Sequence, residues 1–165
     1  MSDDAPEVED VPEWDEANDP DHLTRKDVQS HDVFLDALLG MTVGLDDDGQ
    51  GGFGVTLIVD GLVVAGTTVS RKVWMEGVLD DLRNATGNIT AEWADVVEGL
   101  FTKFADRTVE IRTRREEAKL PQPRRRYIHL SDVVIVTSDG YVTRKFWRGS
   151  VDSIGGWSLG RIDLD

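Results

Sequence analysis

Three stretches of this sequence bring together residue types that could do chemistry. Gly49-Gln50-Gly51-Gly52-Phe53-Gly54 has the G-x-G-x-x-G spacing with which a backbone can cradle a pyrophosphate. That fingerprint must follow a strand and open a helix, whose N-terminus holds the anion. Here the residues that follow alternate as a strand does, so the stretch reads as a loop before a hairpin. Asp46, Asp48 and Gln50 begin like a calcium-binding loop, but the twelfth position is Leu57 where a bidentate Glu is required. His22, His31 and His129 are the only histidines, and none stands in a metal-ligand spacing. His129, mid-strand between Ile128 and Leu130, reads as a surface or hydrogen-bonded structural residue. With no nucleophile elbow, no phosphate loop and no acid and base carboxylate pair, the residues argue for a protein that is not an enzyme and takes no cofactor or metal.

The remaining candidates are for partner binding. Arg124-Arg125-Arg126, with Arg112, Arg114 and Arg115 upstream, is the one basic concentration, and guanidinium groups grip carboxylates or phosphates in bidentate pairs. The chain carries 32 Asp and Glu against 18 Lys and Arg, a formal charge of -14, which favours pairing with carboxylates of the chain itself or of a protein over nucleic acid. Phe146-Trp147-Arg148-Gly149 and Gly156-Trp157 concentrate aromatics and glycines in a β context. Strand alternation puts Phe146 and Trp147 on opposite faces, so one of them is expected to be exposed or covered by a helix.

The elements that must position these residues read as α+β. A helix is expected from Thr24 to Leu39 with Gly40 as its stop. Phe53 to Val59 and Leu62 to Val69, joined by Asp60-Gly61, form a hairpin with a type I′ turn. A helix after Ser70 ends in the Asn84 to Asn88 stretch. A second begins near Thr90, where Trp93, Val96, Val97, Leu100, Phe101 and Phe104 mark one face for burial. Strands are expected at Tyr127 to Thr137, Tyr141 to Ile154 and Trp157 to Ile162. The result is an antiparallel sheet, or a small Sm-like or SH3-like barrel, of about five strands, with an N-terminal helix and a two-helix insertion after the first hairpin.

At 165 residues the length suits one folded domain, expected over 24–165. Residues 1–23 are expected to be a disordered acidic tail. Ten acidic and no basic side chains fall in the first 21 positions, with three prolines and Trp14 as the one large aromatic. Cysteine is absent, which removes disulfides and thiolate chemistry. No apolar run approaches the length of a membrane span and the first residues are acidic, so a cytoplasmic protein without membrane contact is expected. Asp outnumbers Glu 22 to 10 and Arg outnumbers Lys 13 to 5, a bias that suits a high-salt cytoplasm.

Leu57-x-Val59-x-Gly61, Val64-x-Gly66-x-x-Val69-Ser70, Ile128-His129-Leu130 and Phe146-Trp147-Arg148-Gly149 with Gly156, Leu159, Gly160 and Ile162 resemble the gas vesicle accessory protein U family. The resemblance covers roughly residues 53–82 and 127–162, the helical middle matching in position and type more than in letters. It implies a non-enzymatic protein acting on the assembly, surface or clustering of gas vesicles, with vesicle shell or other accessory proteins as partners. Clustering needs several contacts per particle, so it also implies a homo-oligomer. The partner-binding candidates are then Phe146, Trp147, Arg148, Trp157, Arg124, Arg125 and Arg126. A weaker likeness, at fold level, is to Sm-like small barrels. The alternative it offers, RNA binding through Arg124 to Arg126 and Tyr127, is opposed by the acidity.

Overall fold

The computed structural model describes residues 14–84 and 91–162. Five strands form one open, all-antiparallel sheet: β1 (Gly54–Val59), β2 (Leu62–Val69), β3 (Tyr127–Thr137), β4 (Gly140–Ser150) and β5 (Ile154–Leu159), in the order β4-β3-β2-β1-β5. The chain is therefore α+β, with an open sheet in place of a closed barrel. Asp60 and Gly61 take φ of 50° and 85°, the left-handed pair that a two-residue turn between twisted strands requires, and Val59 faces Leu62 across it. The strand expected from Tyr141 to Ile154 ends at Ser150, and the one expected from Trp157 to Ile162 begins already at Ile154 and ends at Leu159. A 3-10 turn, Val151–Ser153, capped by the Ser150 side chain, separates the two, and this turn carries β5 across to pair with β1 at the other end of the sheet.

The N-terminal helix is also divided. A short α1 (Arg25–Val28) ends at Gln29, and α2 (Val33–Val43) begins at Asp32, whose carboxylate accepts the Leu35 N–H at 3.0 Å. Asp32 interrupts the expected helix because its side chain does better as a cap than in a helix interior. Gly40 does not stop α2; Gly44, at φ 85°, does. Leu35, Leu39 and Val43, spaced four apart, lie fully buried against Val55, Leu57, Val64, Ile128, Leu130 and Val133 of the sheet.

The other face of the sheet carries the insertion, α3 (Arg71–Asn84) and α4 (Ala91–Glu117), with α3 packed on β3, β4 and α4. Ser70 caps α3 through its hydroxyl to the Val73 N–H. Along α4, Ala94 is buried and Val97 and Phe101 are half-buried, with Phe101 beside Trp74 at 5.8 Å between ring centroids. Trp93, Val96, Leu100 and Phe104 are exposed. The six-residue stripe expected to be buried is thus divided lengthwise, because α3 covers only one flank of it.

The expected disordered tail also needs correction where it is described. Residues 14–23 fold onto α4. Asp15 caps a 3-10 turn, Glu16–Asn18, and Trp14 Nε1 donates to Asp19 at 2.9 Å. Composition signals a lack of apolar surface, but here specific ion pairs hold the segment. Residues 1–13 lie outside the described residues.

Candidate functional site

Arg115 is fully buried near the end of α4 and forms a bidentate pair with the equally buried Asp19, at 3.0 and 2.8 Å. Its second amino partner is Asp21 at 2.9 Å, and its Nε–H donates to the Pro121 carbonyl at 2.7 Å. Arg114 pairs with Asp21 from the exposed side. Arg114 and Arg115 are thus bound to the chain's own acidic segment, whereas Arg112 pairs with Asp46 in the loop after α2 at 2.7 Å.

The arginine triplet is held internally as well. Arg124 makes a fork to both carboxylate oxygens of Asp152, at 2.6 and 2.9 Å, tying the start of β3 to the turn before β5. Arg125 reaches Asp47 at 2.7 Å and the Gly44 carbonyl, pinning the loop after α2. Arg126 pairs with Asp27 and stays largely exposed. Internal carboxylates occupy all three guanidinium groups, and Arg126 is the one that still faces solvent broadly.

The Phe-Trp-Arg-Gly run is packed residue by residue. Phe146 faces α3, where its ring lies so close to Gly77 that a Cβ there would stand 2.1 Å from it. Trp147 points to the opposite face, joins the core around Leu130, and lies over Gly149. Arg148 is exposed and stacks on Tyr127, 3.5 Å from the ring centroid, with Trp74 at 5.8 Å. Trp157 is half-buried and donates its Nε1–H to Asp32 at 2.7 Å. Of the seven candidates, Arg126 and Arg148 are the two whose side chains stay broadly open; Phe146, Trp147 and Trp157 are half-buried.

Asp32 therefore serves two elements, capping α2 and anchoring β5. Its carboxyl is held below the usual range by the Leu35 N–H first and the Trp157 N–H second, against an opposing effect of burial. That stability is present above the ordinary carboxylate range and is lost as pH falls through the lowered value. Asp32→Ala is expected to cost about 1–2 kcal/mol, measured by urea unfolding at neutral pH, with a smaller difference from the parent in acid.

His129 is not a surface residue, nor a hydrogen-bonded one. It is buried beneath Trp74, ring centroids 5.1 Å apart, and neither ring nitrogen finds a hydrogen bond among the described residues. Asp47 approaches its Nδ1 at 3.5 Å. Burial pushes the imidazole pKa down, and although Asp47 opposes this, the Arg148 and Arg125 cations add to the depression. Burial by itself would raise the Asp47 carboxyl, but His129 and Arg125 outweigh it and hold it below its ordinary value. Alternation placed His129 on the face opposite Ile128 and Leu130; that α3 closes over that face is a tertiary fact.

No group of three or more His, Cys, Asp or Glu side chains among the described residues is placed to hold a metal. No helix among them is long and apolar enough to cross a membrane. What sequence reasoning missed is the amount of apolar surface turned outward. Val33, Phe34, Met41 and Leu45 are exposed along and just beyond α2, Phe34 by 80%, in addition to the open row on α4. The signal was present in α2, whose apolar residues run round more of the helix than one buried side requires.

An open five-stranded antiparallel sheet packed with helices, its arginine triplet paired with carboxylates of the same chain and two helices carrying exposed apolar residues, defines an α+β protein. The chain is a member of the family described as gas vesicle protein GvpU-like, whose model matches residues 36–162, most of its length. No curated protein and no solved structure matches it.

Proposed function

We propose that this chain is a non-enzymatic gas vesicle accessory protein that acts at the vesicle surface in the cytoplasm, in assembly or clustering, through contacts with shell or other accessory proteins. The observation that carries the reading beyond family membership is the exposed row Val33, Phe34, Met41 and Leu45, on the side of α2 away from the buried Leu35, Leu39 and Val43. Contiguous apolar surface rimmed by charge marks a protein contact. The Asp-rich composition supports an owner with a salt-rich cytoplasm.

Co-flotation of purified protein with isolated gas vesicles, at several salt concentrations, tests this. A shortened comparison chain should begin at Trp14, because starting at Leu23 would remove Asp19 and leave Arg115 buried without its main partner. The full chain and the Trp14 chain are expected to float with vesicles, and a Phe34→Asp, Met41→Asp double variant to stay behind with at least about tenfold less bound. A double variant that floats like the parent removes α2 as the contact. Folded protein that never floats overturns direct shell binding and leaves another accessory protein as the partner.

A further inference from the structure

We propose that the cleft between the start of α2 and β5 is a binding site for a lysine or arginine side chain, presented by a partner protein whose contacting segment lies along the exposed side of α2. The identity of the partner rests on the contact at α2 argued above; the chemistry of the cleft does not.

The cleft has a volume of about 150 Å³. Asp32 and Leu35 line it from the start of α2, Val151 from the 3-10 turn before β5, and Ile154 and Trp157 from β5 itself. A cavity of that volume holds a benzene-sized group of about six heavy atoms, so one side chain fills it and a nucleotide does not fit.

Charge decides which side chain. Asp32 is half-buried, and its carboxyl, held below the ordinary range, is ionised at neutral pH. Among the described residues no lysine or arginine pairs with it, whereas Asp19, Asp27, Asp46, Asp47 and Asp152 each hold an arginine. The Leu35 and Trp157 N–H groups donate to one Asp32 oxygen each, which leaves a second lone pair on both. His31, also at the cleft, is exposed, and its charge bears on Asp152 as well as on Asp32, so it is no fixed counter-ion. The end of α2 opposes a cation with roughly half a charge, less than the full charge of the carboxylate. An anion would meet that carboxylate directly and is excluded. A cation on an apolar stem is matched throughout: the carboxylate and the indole attract the head, and Leu35, Val151 and Ile154 cover the stem.

Gly155 and Gly156, which also line the cleft, are a second observation. Paired glycines weaken a strand and mark places where a ligand or another backbone comes close. Neither has the left-handed φ that would require glycine, although the β1 ladder shifts register beside them. A Cβ would meet nothing nearer than 3.9 Å at Gly155 or 3.8 Å at Gly156, so crowding within the chain does not account for them.

The cleft adjoins the apolar row. Val33 and Phe34 follow Asp32 directly and are exposed by 71% and 80%, so a segment seated on them carries its neighbouring side chain to the cleft. A basic anchor suits a chain of charge -14, and an ion pair half-buried in a cleft is screened by salt less than an exposed one.

The probe is Nα-acetyl-lysine methylamide, titrated into the full chain at about pH 8, where an imidazole is uncharged, with the norleucine analogue as the uncharged control. The readout is the Trp157 indole N–H resonance, assigned by its loss in Trp157→Phe. The expected result is a saturable shift with a dissociation constant of about 1–10 mM for lysine and none for norleucine. Asp32→Asn keeps a capping oxygen and removes the charge, and should weaken lysine binding by about tenfold and reduce co-flotation with vesicles several-fold. Should that variant fail to fold, the lysine and norleucine comparison on the parent decides the cleft by itself. No saturable shift up to about 50 mM, or equal shifts from both probes, overturns the cation site, whether or not the parent floats with vesicles. Lysine binding that Asp32→Asn abolishes while the variant still floats like the parent overturns the assignment of the cation to the partner at α2.

Discussion

Arg115→Met is expected to destabilise the protein by about 3–5 kcal/mol, the cost of leaving a buried charge without its counter-ion. Asp19 and Arg115 are both fully buried and doubly hydrogen-bonded to each other. Methionine retains most of the arginine's apolar stem, so the loss reports the ion pair more than the packing. The remaining donors to Asp19, from Trp14 and from the Leu23 and Asp21 N–H groups, do not neutralise its charge. Thermal unfolding should fall by about 10 °C, at roughly 2–4 °C per kcal/mol for a chain of this size.

The pH dependence gives the same substitution a second readout. Arg115 is the main cause that holds the Asp19 carboxyl well below 3.8, its ordinary value, with burial opposing and the three N–H donors assisting. A depressed carboxyl contributes stability that is fully present above 3.8 and is lost as pH falls through the folded value. The parent should therefore keep this contribution into strong acid, and Arg115→Met should begin acid unfolding at a higher pH. Equal acid midpoints for the two proteins would show that the pair does not couple residues 14–23 to α4.

Gly149→Ala is expected to cost about 1–3 kcal/mol although it adds a single methyl group. The new Cβ would stand 1.9 Å from the outer edge of the Trp147 indole, which lies along β4 across the glycine two residues on. The strand is paired at this point, Ile128 opposite Gly149 and Leu130 opposite Trp147, so the backbone cannot yield without breaking ladder bonds. The indole must instead leave the core, and its fluorescence should shift to the red together with a lower urea midpoint. An unchanged emission maximum at parental stability would mean that the indole has room elsewhere. Phe146, Trp147 and Gly149 of the Phe-Trp-Arg-Gly run are packed in this way, while Arg148 stays exposed above Tyr127. Each letter is set by a neighbour: Gly77 for Phe146, Gly149 for Trp147 and Tyr127 for Arg148.

The arginine triplet and the aromatic run drew attention as binding residues because of their types, yet Asp27, Asp47 and Asp152 hold the arginines, and the core and α3 hold the two aromatics of β4. The outward apolar groups stand on helices. A chain with charge -14 that leaves Phe34, Met41, Trp93 and Phe104 open to solvent offers contact surface on two separate helices.

The sequence by itself determined the elements whose signals are local. The Asp60-Gly61 turn, the alternating strands on either side of it, the span of β3 and the two helices of the insertion follow from period, turn chemistry and capping within a few residues. The resemblance carried by the glycines and the Phe-Trp-Arg-Gly run likewise rests on short stretches, and the family follows from it. Tertiary structure decided what depends on distant partners. Asp19 pairs with an arginine 96 residues away, β5 crosses to β1, Asp32 splits a helix to serve both α2 and Trp157, and α3 covers one flank of α4 and leaves the other open. Periodicity states that a face is apolar; only the positions of all the other elements determine whether that face is buried within the chain or left for a partner.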